Sequence, residues 1–451
     1  MTATAAVQLS ARFCNLSLRD VPDAARDSVK RLLLDYLGVA IAGSRAKSGG
    51  IARSFVKSCG GDPQATLIGD TVMLPASQVA FANAISSHSL ELDDIDVLAL
   101  FHFSPPVYSA ALAAAELARA NGGQLLVALA AGCEMMERAS RAANNSLRNR
   151  GYHTTPTCGV FGAAVAAGRL LGLDEPQLVS ALGMAGAQAA GLMEMYGPSM
   201  QKRFNPGPAA RNGVTAAQMA QLGFTGADTI FEGERGFLRA YTDRSDLARL
   251  TEQLEQPYQL DIEHKPYSCA RPIHNAIDCA LDIRRRHAPA LGVIAAIHVA
   301  RHPDWAHYHQ NRAPRTYHEA QVSLPWSVAV ALKDGQALLD QYADSRLNEP
   351  DLKRLMELTS FSTDASLPRG VSCRVTLIMA DGSNLLSQVD DPKGSVGNPM
   401  SDAEIAGKFA DLAGPVVGAG AVAAIRELVA DLEHCGDVRQ LLRLTAAEAG
   451  R

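Results

Sequence analysis

Apolar residues recur at helical spacing over most of the first 265 residues. The segment VPDAARDSVKRLLLDYLGVAIAG has a capping-type start, apolar positions at helical intervals and a glycine at its end, which predicts an amphipathic helix. The same pattern predicts helices in PPVYSAALAAAELARANGG, GQLLVALAAGCEMMERASRAANN and PAARNGVTAAQMAQLGFTG. In TCGVFGAAVAAGRLLGLDEPQLVSALGMAGAQAAGLMEM, which predicts two or three helices, abundant Gly and Ala let helix backbones approach closely. We therefore predict a large all-α domain over residues 1–265.

The pattern changes after residue 265. VIAAIHVARH and VSCRVTLIMADGSNLLSQV predict strands, the second as a hairpin that turns at ADGS. SLPWSVAVALKDG and EPDLKRLMELTS predict helices between these strands. We therefore expect a smaller α+β domain over residues 266–399, in a protein that is mainly α.

The last fifty residues return to the helical pattern. SDAEIAGKFADLAG and AVAAIRELVADLEHCGDVRQLLRLTAA predict helices, with Ser401 as N-cap and Glu404 as its capping-box partner. We expect residues 400–451 to pack back on the first domain.

Composition narrows the class of protein. The chain has 451 residues, 47% hydrophobic and 20% charged, which fits a globular protein of two domains. A net charge of −5 without a basic block argues against nucleic acid or an anionic membrane as partner. The first twenty residues do not predict a signal peptide, and apolar windows such as VGAGAVAAIRELVA look too short and too rich in Gly and Ala to span a bilayer. Eight cysteines without a CxxC pair predict reduced, mostly buried thiols in a cytoplasmic protein.

Four segments that we interpret as loops concentrate reactive side chains, and loops on a rigid scaffold often carry function. They are HSLELDDIDVLALFHFSPP (88–106), RNRGYHTTPTCG (148–159), MQKRFNPGPAARNG (200–213) and EHKPYSCARPIHNAID (263–278). Their candidate residues are His88, His102, Tyr152, His153, Thr157, Lys202, Arg203, Asn205, Lys265, Tyr267, Arg271 and His274.

Each segment also has a purely structural interpretation. A single loop histidine is more often a hydrogen-bonded structural group than a catalyst, and ELDDID also fits an acidic turn at a helix N-terminus. Asp and His together suit a divalent cation. However, none of the four segments has an HxH, HExxH or DxDxD spacing, so we predict no metal site there.

Taken in order, these segments resemble the MmgE/PrpD family, which includes 2-methylcitrate dehydratase, cis-aconitate decarboxylase and iminodisuccinate epimerase. DSVKRLLLDYLGVAIAG is similar to the family's opening helix, and HSLELDD followed by HFSPPVYSAALAAAE is similar to its LDFDDTH…HPS loop. The segments that match further along are GYHTTPTCGVFGAAVAAGRLLGL, GFLRAY, KPYSCARPIHNAID, NRAPRT, SLPWSVAVAL and GNPMSDAEIAGKF. The resemblance therefore covers nearly the whole chain.

The resemblance implies a helical domain, an α+β lid domain with a chorismate-mutase-like topology, and an active site between them. It also implies a homodimer that works without a metal or other cofactor. The family's loop acid corresponds to Glu91, its loop histidine to His102 and its second histidine to His153. Its two lysines correspond to Lys202 and Lys265.

The chemistry of these side chains agrees with a small carboxylic acid as substrate. Removing a proton α to a carboxylate needs a base whose pKa lies near the working pH, which suits histidine. Cationic groups must also hold the carboxylates and stabilise the charge that develops. We therefore predict as catalytic residues His102, His153, Lys202 and Lys265. We predict as substrate-binding residues Glu91, Asp93, Tyr152, Arg203, Tyr267 and His274.

The sequence departs from the family pattern inside the expected pocket. Glu91 replaces an aspartate, Ile95 a threonine, and Asn205 a histidine found in many relatives. The apolar loop from Asp94 to His102 is one residue longer than the family's. These departures predict a substrate other than methylcitrate or cis-aconitate.

Three functions remain open from the sequence. The first is a lyase that dehydrates or decarboxylates a small di- or tricarboxylic acid. The second is an epimerase or isomerase that uses the same residues as opposed proton carriers. The third is a non-catalytic paralogue that binds a ligand, against which the retention of both histidines and both lysines argues.

Overall fold

The computed structural model describes residues 3–97, 99–195, 198–256, 260–368 and 370–447. The chain divides into two compact units. The first comprises residues 1–196, 200–262 and 401–451, and the second residues 197–199 and 263–400. The domain boundaries predicted from the sequence lie after residues 265 and 399.

The elements are mainly helical, as predicted. The helices are α1 (Ala5–Asn15), α2 (Asp23–Gly43), α3 (Lys47–Cys59), α4 (Ala76–Ser87), α5 (Ser104–Ala118), α6 (Gly122–Ala143), α7 (Ser146–Asn149), α8 (Thr154–Leu170), α9 (Glu175–Gly186), α10 (Gln201–Phe204), α11 (Pro206–Gln221), α12 (Phe237–Tyr241), α13 (Ala248–Thr251), α14 (His274–His287), α15 (Tyr317–Ala320), α16 (Leu324–Asp334), α17 (Pro350–Glu357), α18 (Asp402–Ala430) and α19 (Arg439–Arg443). The strands are β1 (Ala65–Thr66), β2 (Met73–Leu74), β3 (Ile294–Arg301), β4 (Thr359–Thr363), β5 (Cys373–Met379) and β6 (Asn384–Val389).

Helices α5, α6, α8 and α11 pack closely in the core of the first unit. A Cβ atom on Gly162 of α8 would lie 2.5 Å from the carbonyl oxygen of Gly132 on α6. One on Gly213 of α11 would lie 2.4 Å from Cβ of Ala163. Real Cβ atoms do not approach that closely, so these helices need glycine where their backbones meet. This confirms the predicted role of the small residues.

The first unit is not entirely helical. β1 and β2 form a short antiparallel pair that the prediction of an all-α domain missed. The buried carboxylate of Glu116 accepts hydrogen bonds from the backbone N–H and hydroxyl of Thr66, at 2.5 and 2.7 Å. A distant acid of this kind fixes the first strand, and a local pattern does not reveal it.

Helix α18 belongs to the first unit and packs on α2. Ser401 and Glu404 form the predicted capping box, since Ser401 N–H donates to the Glu404 carboxylate and Glu404 N–H to the Ser401 hydroxyl. The predicted division into two helices is confirmed, because α18 is interrupted at Gly418, whose φ of 81° and ψ of 161° are not helical. The second helix is shorter than predicted, since it ends at Ala430 and α19 begins only at Arg439.

The apolar window VGAGAVAAIRELVA covers the C-terminal part of α18, from just before the kink at Gly418 to Ala430. In the described part of the chain, α18 alone has the length and hydropathy that crossing a membrane requires.

The second unit contains a four-stranded sheet in the order β4-β3-β5-β6. β3 pairs with β4 in parallel and with β5 antiparallel, and β5 and β6 form the predicted hairpin. Buried residues of α14 and α16 form one apolar core with inward-facing residues of β3 and β5. The sequence pattern missed β4, since the predicted helix EPDLKRLMELTS ends at Glu357 and the strand begins at Thr359. The lid role and chorismate-mutase-like topology of this unit stay predictions.

The eight cysteines all lie in the described ranges and are free thiols. Six are buried, as predicted, while Cys14 is half-buried and Cys59 is exposed.

Candidate functional site

Three segments of the first unit meet around a cluster of histidines. The loop between α4 and α5, which we call the acidic loop (residues 88–103), carries His88 at the end of α4 and His102 just before α5. His153 is the N-cap residue of α8. The backbone N–H of His102 donates to the hydroxyl of Thr155 at 3.1 Å, which joins the acidic loop to the start of α8.

Two histidines share one carboxylate oxygen. Asp93 Oδ2 lies 2.7 Å from His88 Nδ1 and 3.0 Å from His102 Nδ1. His102 Nδ1 also lies 2.5 Å from the carbonyl oxygen of Asp94. Acceptors at Nδ1 favour the tautomer that carries its proton there, which leaves Nε2 able to accept a proton. His88 and His102 can therefore each act as a base through Nε2.

His153 has the opposite arrangement. Its Nδ1 lies 3.0 Å from the side-chain amide nitrogen of Asn205, the residue just before α11. The same amide nitrogen lies 3.4 Å from the carbonyl oxygen of Leu192, which requires a donor there. An amide nitrogen only donates, so Nδ1 of His153 accepts and its ring proton lies on Nε2. Neutral His153 can therefore act as a proton donor through Nε2.

Burial keeps His88 and His153 neutral. Burial lowers the pKa of His88 to about 4, although the neighbouring Asp93 raises it. Burial also lowers the pKa of His153 well below its usual value, and His88, His102 and Lys202 lower it further. Near neutral pH both rings are uncharged, which a base requires before it can accept a proton.

Glu91 connects the acidic loop to α10. Its carboxylate pairs with the ammonium group of Lys202 and with the guanidinium group of Arg203. Arg203 Nη1 also lies 3.3 Å from the carbonyl oxygen of His88. Glu91 itself has a φ of 58°, a left-handed conformation that is uncommon for a residue with a side chain. The loop backbone thus turns Glu91 toward two cations that can receive an anionic group.

Asp94 anchors the end of the acidic loop. Its carboxylate accepts hydrogen bonds from Phe103 N–H at 2.6 Å and from Ser104 N–H at 3.1 Å, at the start of α5. Burial, with the nearby Asp93, raises the pKa of Asp94 to about 6. Part of the ELDDID segment therefore does serve a helix N-terminus, as the structural interpretation proposed. Asp93 and Glu91 do not, because they bond to histidines and cations.

The three histidines form one cluster. The ring centroids of His88 and His102 lie 5.0 Å apart, and those of His88 and His153 lie 6.3 Å apart. Within the first unit the structure thus brings together six of the predicted site residues. These are Glu91, Asp93, His102, His153, Lys202 and Arg203.

Tyr152, the remaining candidate of this unit, packs its ring against Tyr241 with centroids 4.7 Å apart. Its predicted substrate contact stays a prediction.

The candidates of the second unit form their own network. The Tyr267 hydroxyl donates to Asp278 at 2.5 Å, and the tyrosine ring packs at a tilt against His274, with ring centroids 5.1 Å apart. Arg271 donates to His274 Nδ1 at 3.0 Å. Lys265 is fully buried. Catalysis by Lys265 and substrate binding by Tyr267 and His274 stay predictions.

Comparison with known proteins identifies the family. The model of the MmgE/PrpD N-terminal domain matches residues 7–250, and that of the C-terminal domain matches residues 267–434. The chain belongs to the MmgE/PrpD family.

Relatives within the family align with this chain almost from end to end. The chain is 29% identical to a cis-aconitate decarboxylase-like protein of Aspergillus oryzae, over 98% of both chains. It is 28% identical to cis-aconitate decarboxylase of Aspergillus terreus, over 95% of this chain and 93% of the relative. It is 26% identical to human cis-aconitate decarboxylase, over 95% of this chain and 92% of the relative.

The structure places the departures from the MmgE/PrpD pattern around the histidine cluster. Asn205 contacts His153, and Glu91 bonds to both cations of α10. The lengthened part of the acidic loop closes on itself, because Asp96 N–H donates to the Phe101 carbonyl at 2.9 Å. Leu98, in the apolar part of this loop, lies outside the described residues.

His88 is the residue that sequence reasoning noticed but did not assign to the site. It is completely buried, and its Nε2 has no hydrogen-bond partner among the described residues. Buried polar atoms are normally hydrogen-bonded, so this nitrogen marks His88 as a candidate site residue. Asp93 lies five residues after His88, and His102 lies nine residues after Asp93. These spacings match no common motif, so only the fold reveals the group.

The same group bears on the metal prediction. One donor atom from each of His88, Asp93 and His102 lies within 4.8 Å of the others, and all three residues are buried. Two imidazoles and a carboxylate suit zinc or a similar divalent ion. However, the Nδ1 to Oδ2 distances of 2.7 and 3.0 Å are those of hydrogen bonds. Metal-independence of this MmgE/PrpD protein therefore stays a prediction.

Proposed function

We propose that this protein is a lyase that acts on a small di- or tricarboxylic acid, and that decarboxylation is its reaction rather than dehydration. One observation carries the proposal. His102 and His153 carry their ring protons on opposite nitrogens, Nδ1 and Nε2, and they lie in one cluster with Lys202 and Arg203. The end-to-end similarity to cis-aconitate decarboxylases supports decarboxylation.

In this proposal the two cations of α10 bind carboxylates of the substrate. Lys202 acts as a point charge, and the fork of Arg203 can bind a carboxylate through two N–H groups. Glu91 holds both cations in place before the substrate arrives. Fixed charges of this kind stabilise the negative charge that develops in the reaction without reorganising.

The proton donors and acceptors of the site are those that decarboxylation needs. When the bond to the leaving carboxylate breaks, CO2 departs and the electron pair stays on the substrate, delocalised into a neighbouring double bond or carboxylate. His153 then donates its Nε2 proton to the carbon that carries this pair, and a proton from solvent returns the resulting imidazolate to the neutral ring. Dehydration would use the same groups, with His102 Nε2 taking the α proton and His153 protonating the hydroxyl group that leaves.

One histidine that can accept a proton and one that can donate a proton also fit the epimerase alternative. An epimerase would take the α proton with one histidine and return a proton from the other to the opposite face. The experiment below separates this alternative from the lyase.

Proton NMR in D2O with a panel of acids tests the proposal. The panel contains cis-aconitate, citrate, 2-methylcitrate, tartrate and iminodisuccinate, because the departures at Glu91, Ile95 and Asn205 favour an acid other than cis-aconitate. We expect new olefinic signals together with released CO2, both abolished by His153→Ala. New olefinic signals without CO2 would indicate dehydration. Deuterium that enters an α position without a new product would indicate an epimerase. Binding without turnover would favour the non-catalytic paralogue.

We further propose, from the family resemblance alone, a cytoplasmic homodimer that uses neither metal nor cofactor. Light scattering after size exclusion tests the dimer, and a mass equal to that of one chain would contradict it.

A further inference from the structure

Lys408 of α18 reaches the acidic loop from the far end of the chain. Its Nζ donates to the carbonyl oxygen of Leu92 at 2.7 Å and pairs with Asp35 Oδ1 at 2.6 Å. Asp35 lies in the middle of α2 and is almost fully buried, and 9% of the Lys408 side chain is exposed. The buried carboxylate of Asp35 therefore fixes the ammonium group of Lys408, which in turn binds the acidic loop at Leu92.

The carbonyl that Lys408 binds lies between two residues of the site. Glu91 precedes Leu92 and pairs with Lys202 and Arg203, and Asp93 follows it and contacts both loop histidines. The peptide plane of Leu92 and Asp93 sets the directions in which the loop presents these acids. Glu91 already has an unfavourable φ of 58°, so the loop needs external contacts to keep this shape.

We propose that Lys408, supported by Asp35, is a positioning residue that fixes the acidic loop so that Glu91 and Asp93 face their partners. This inference rests on the proposed function, since it assigns the loop geometry to the reaction. Lys408 touches none of the histidines through the contacts described here. It acts through one backbone oxygen.

A second lysine provides a matched control. Lys30 lies on α2, as Asp35 does, and it binds the C-terminal segment, since its Nζ lies 3.3 Å from the Ala430 carbonyl oxygen and 3.0 Å from Glu433 Oε1. Lys30 thus joins the same parts of the chain without contacting the acidic loop. If the Lys408 contact only held α18 to α2, removing either lysine would have comparable effects.

The decisive comparison is between Asp35→Asn and the double variant Asp35→Asn/Lys408→Met. Both remove the buried carboxylate, but only the double variant removes the donor to Leu92, and it leaves no unpaired buried charge. The two measurements are kcat/KM with its pH profile, on the acid that the wild type converts, and hydrogen exchange of residues 88–103. Lys30→Met is measured alongside.

We expect the double variant to have a kcat/KM about 10- to 100-fold below that of Asp35→Asn, the cost typical of small misplacements of catalytic groups. Its pH profile should shift, because Asp93 contacts both loop histidines and its position relative to them would change. Residues 88–103 should exchange faster in the double variant alone. Lys30→Met should leave kcat/KM, its pH profile and the hydrogen exchange of residues 88–103 unchanged.

Equal kcat/KM and equal exchange in Asp35→Asn and the double variant would overturn the inference, as would faster exchange with an unchanged kcat/KM. If the wild type converts none of the acids, the proposed function fails, while the exchange comparison still decides whether Lys408 holds the loop. If the double variant does not fold, Lys408→Arg decides. It keeps the charge but moves the donors, so an unchanged kcat/KM with unchanged exchange would also overturn the inference.

Discussion

The acidic loop and the start of α8 hold their histidines in different ways. His88 and His102 lie in an irregular segment and share the carboxylate of Asp93. His153 begins a helix that is buried except at Arg169, and its ring faces the amide of Asn205. A carboxylate at Nδ1 and an amide donor at Nδ1 place the ring proton on opposite nitrogens. The partner of each ring thus determines which histidine accepts a proton and which donates one.

Replacing the carboxylate of the acidic loop should have the largest effect. In Asp93→Asn the side chain keeps its shape but loses the charge, and its amide can present a donor to the histidines. We expect kcat/KM to fall about 10³- to 10⁴-fold, as when a catalytic histidine loses the carboxylate that sets its tautomer. The measurement is steady-state kinetics on the acid identified by NMR.

Asp431→Asn is the matched control for that experiment. Asp431 Oδ1 lies 2.6 Å from Nδ1 of the exposed His434, so the variant breaks another Asp–His pair far from any predicted site residue in sequence. It should keep full activity. A comparable loss in both variants would refute the role given to Asp93.

Exchanging the partner of His153 should have the next largest effect. Asn205→Asp places a carboxylate at His153 Nδ1, which draws the ring proton from Nε2 to Nδ1 and removes the proposed acid. We expect kcat/KM to fall about 10²-fold, within the range of general acid–base contributions. Asn205→His, which introduces the residue common among relatives, should cost less. If Asn205→Asp keeps wild-type kcat/KM, His153 is not the proton donor.

The burial of His88 should make stability depend on pH. Its pKa is about 4 in the folded protein against an ordinary value of 6.5, so between these values the unfolded chain binds the proton more tightly. Stability is therefore lost as the pH falls from 6.5 toward 4, by about 3 kcal/mol from this residue alone. Urea unfolding at pH 7 and pH 4.5 measures the loss.

The variant His88→Asn isolates the contribution of His88 to the pH dependence of stability, because its amide can donate to Asp93 but does not titrate. The raised pKa of Asp94 acts in the opposite direction, since it adds stability as the pH falls through 6, but it is present in both proteins. The variant should lose less stability than the wild type between the two pH values. The same pH dependence in both would show that His88 is not the titrating group.

The smallest expected effect concerns metal. Dialysis of the protein against EDTA should leave kcat/KM unchanged, because hydrogen bonds account for the contacts of Asp93 with its two histidines. Loss of activity that zinc or manganese restores would show instead that His88, Asp93 and His102 hold an ion.

Local patterns were sufficient for much of the scaffold. The capping box at Ser401, the hairpin of β5 and β6, and the glycines that bring α6 and α8 together were all predicted, because each depends on residues near one another in sequence. β4 was missed because it follows α17 almost directly and is fixed by pairing with β3, far away in sequence.

The site was harder to predict in detail. The resemblance named Glu91, His102, His153 and Lys202, and the fold gathers these four together. It did not reveal that Glu91 pairs with cations 111 and 112 residues later. It also left out His88, because the contacts that join that ring to His102, through the shared Asp93 oxygen and ring to ring, form only in the fold. Such pairings arise when distant segments meet, so a pattern read along the chain does not contain them.

The packing of α18 on α2 has a consequence for how the protein is made. The ribosome completes α2 early, but α18 and the lysine that binds Leu92 are synthesised after the whole second unit. Until then the face of α2 that will hold Phe409 against Gly38, at 3.1 Å from a Cβ placed there, stays uncovered. An mRNA truncated before the codons of α18 would therefore yield a chain that has most of its helices but leaves the core residues of α2 exposed. We expect such a chain to be degraded.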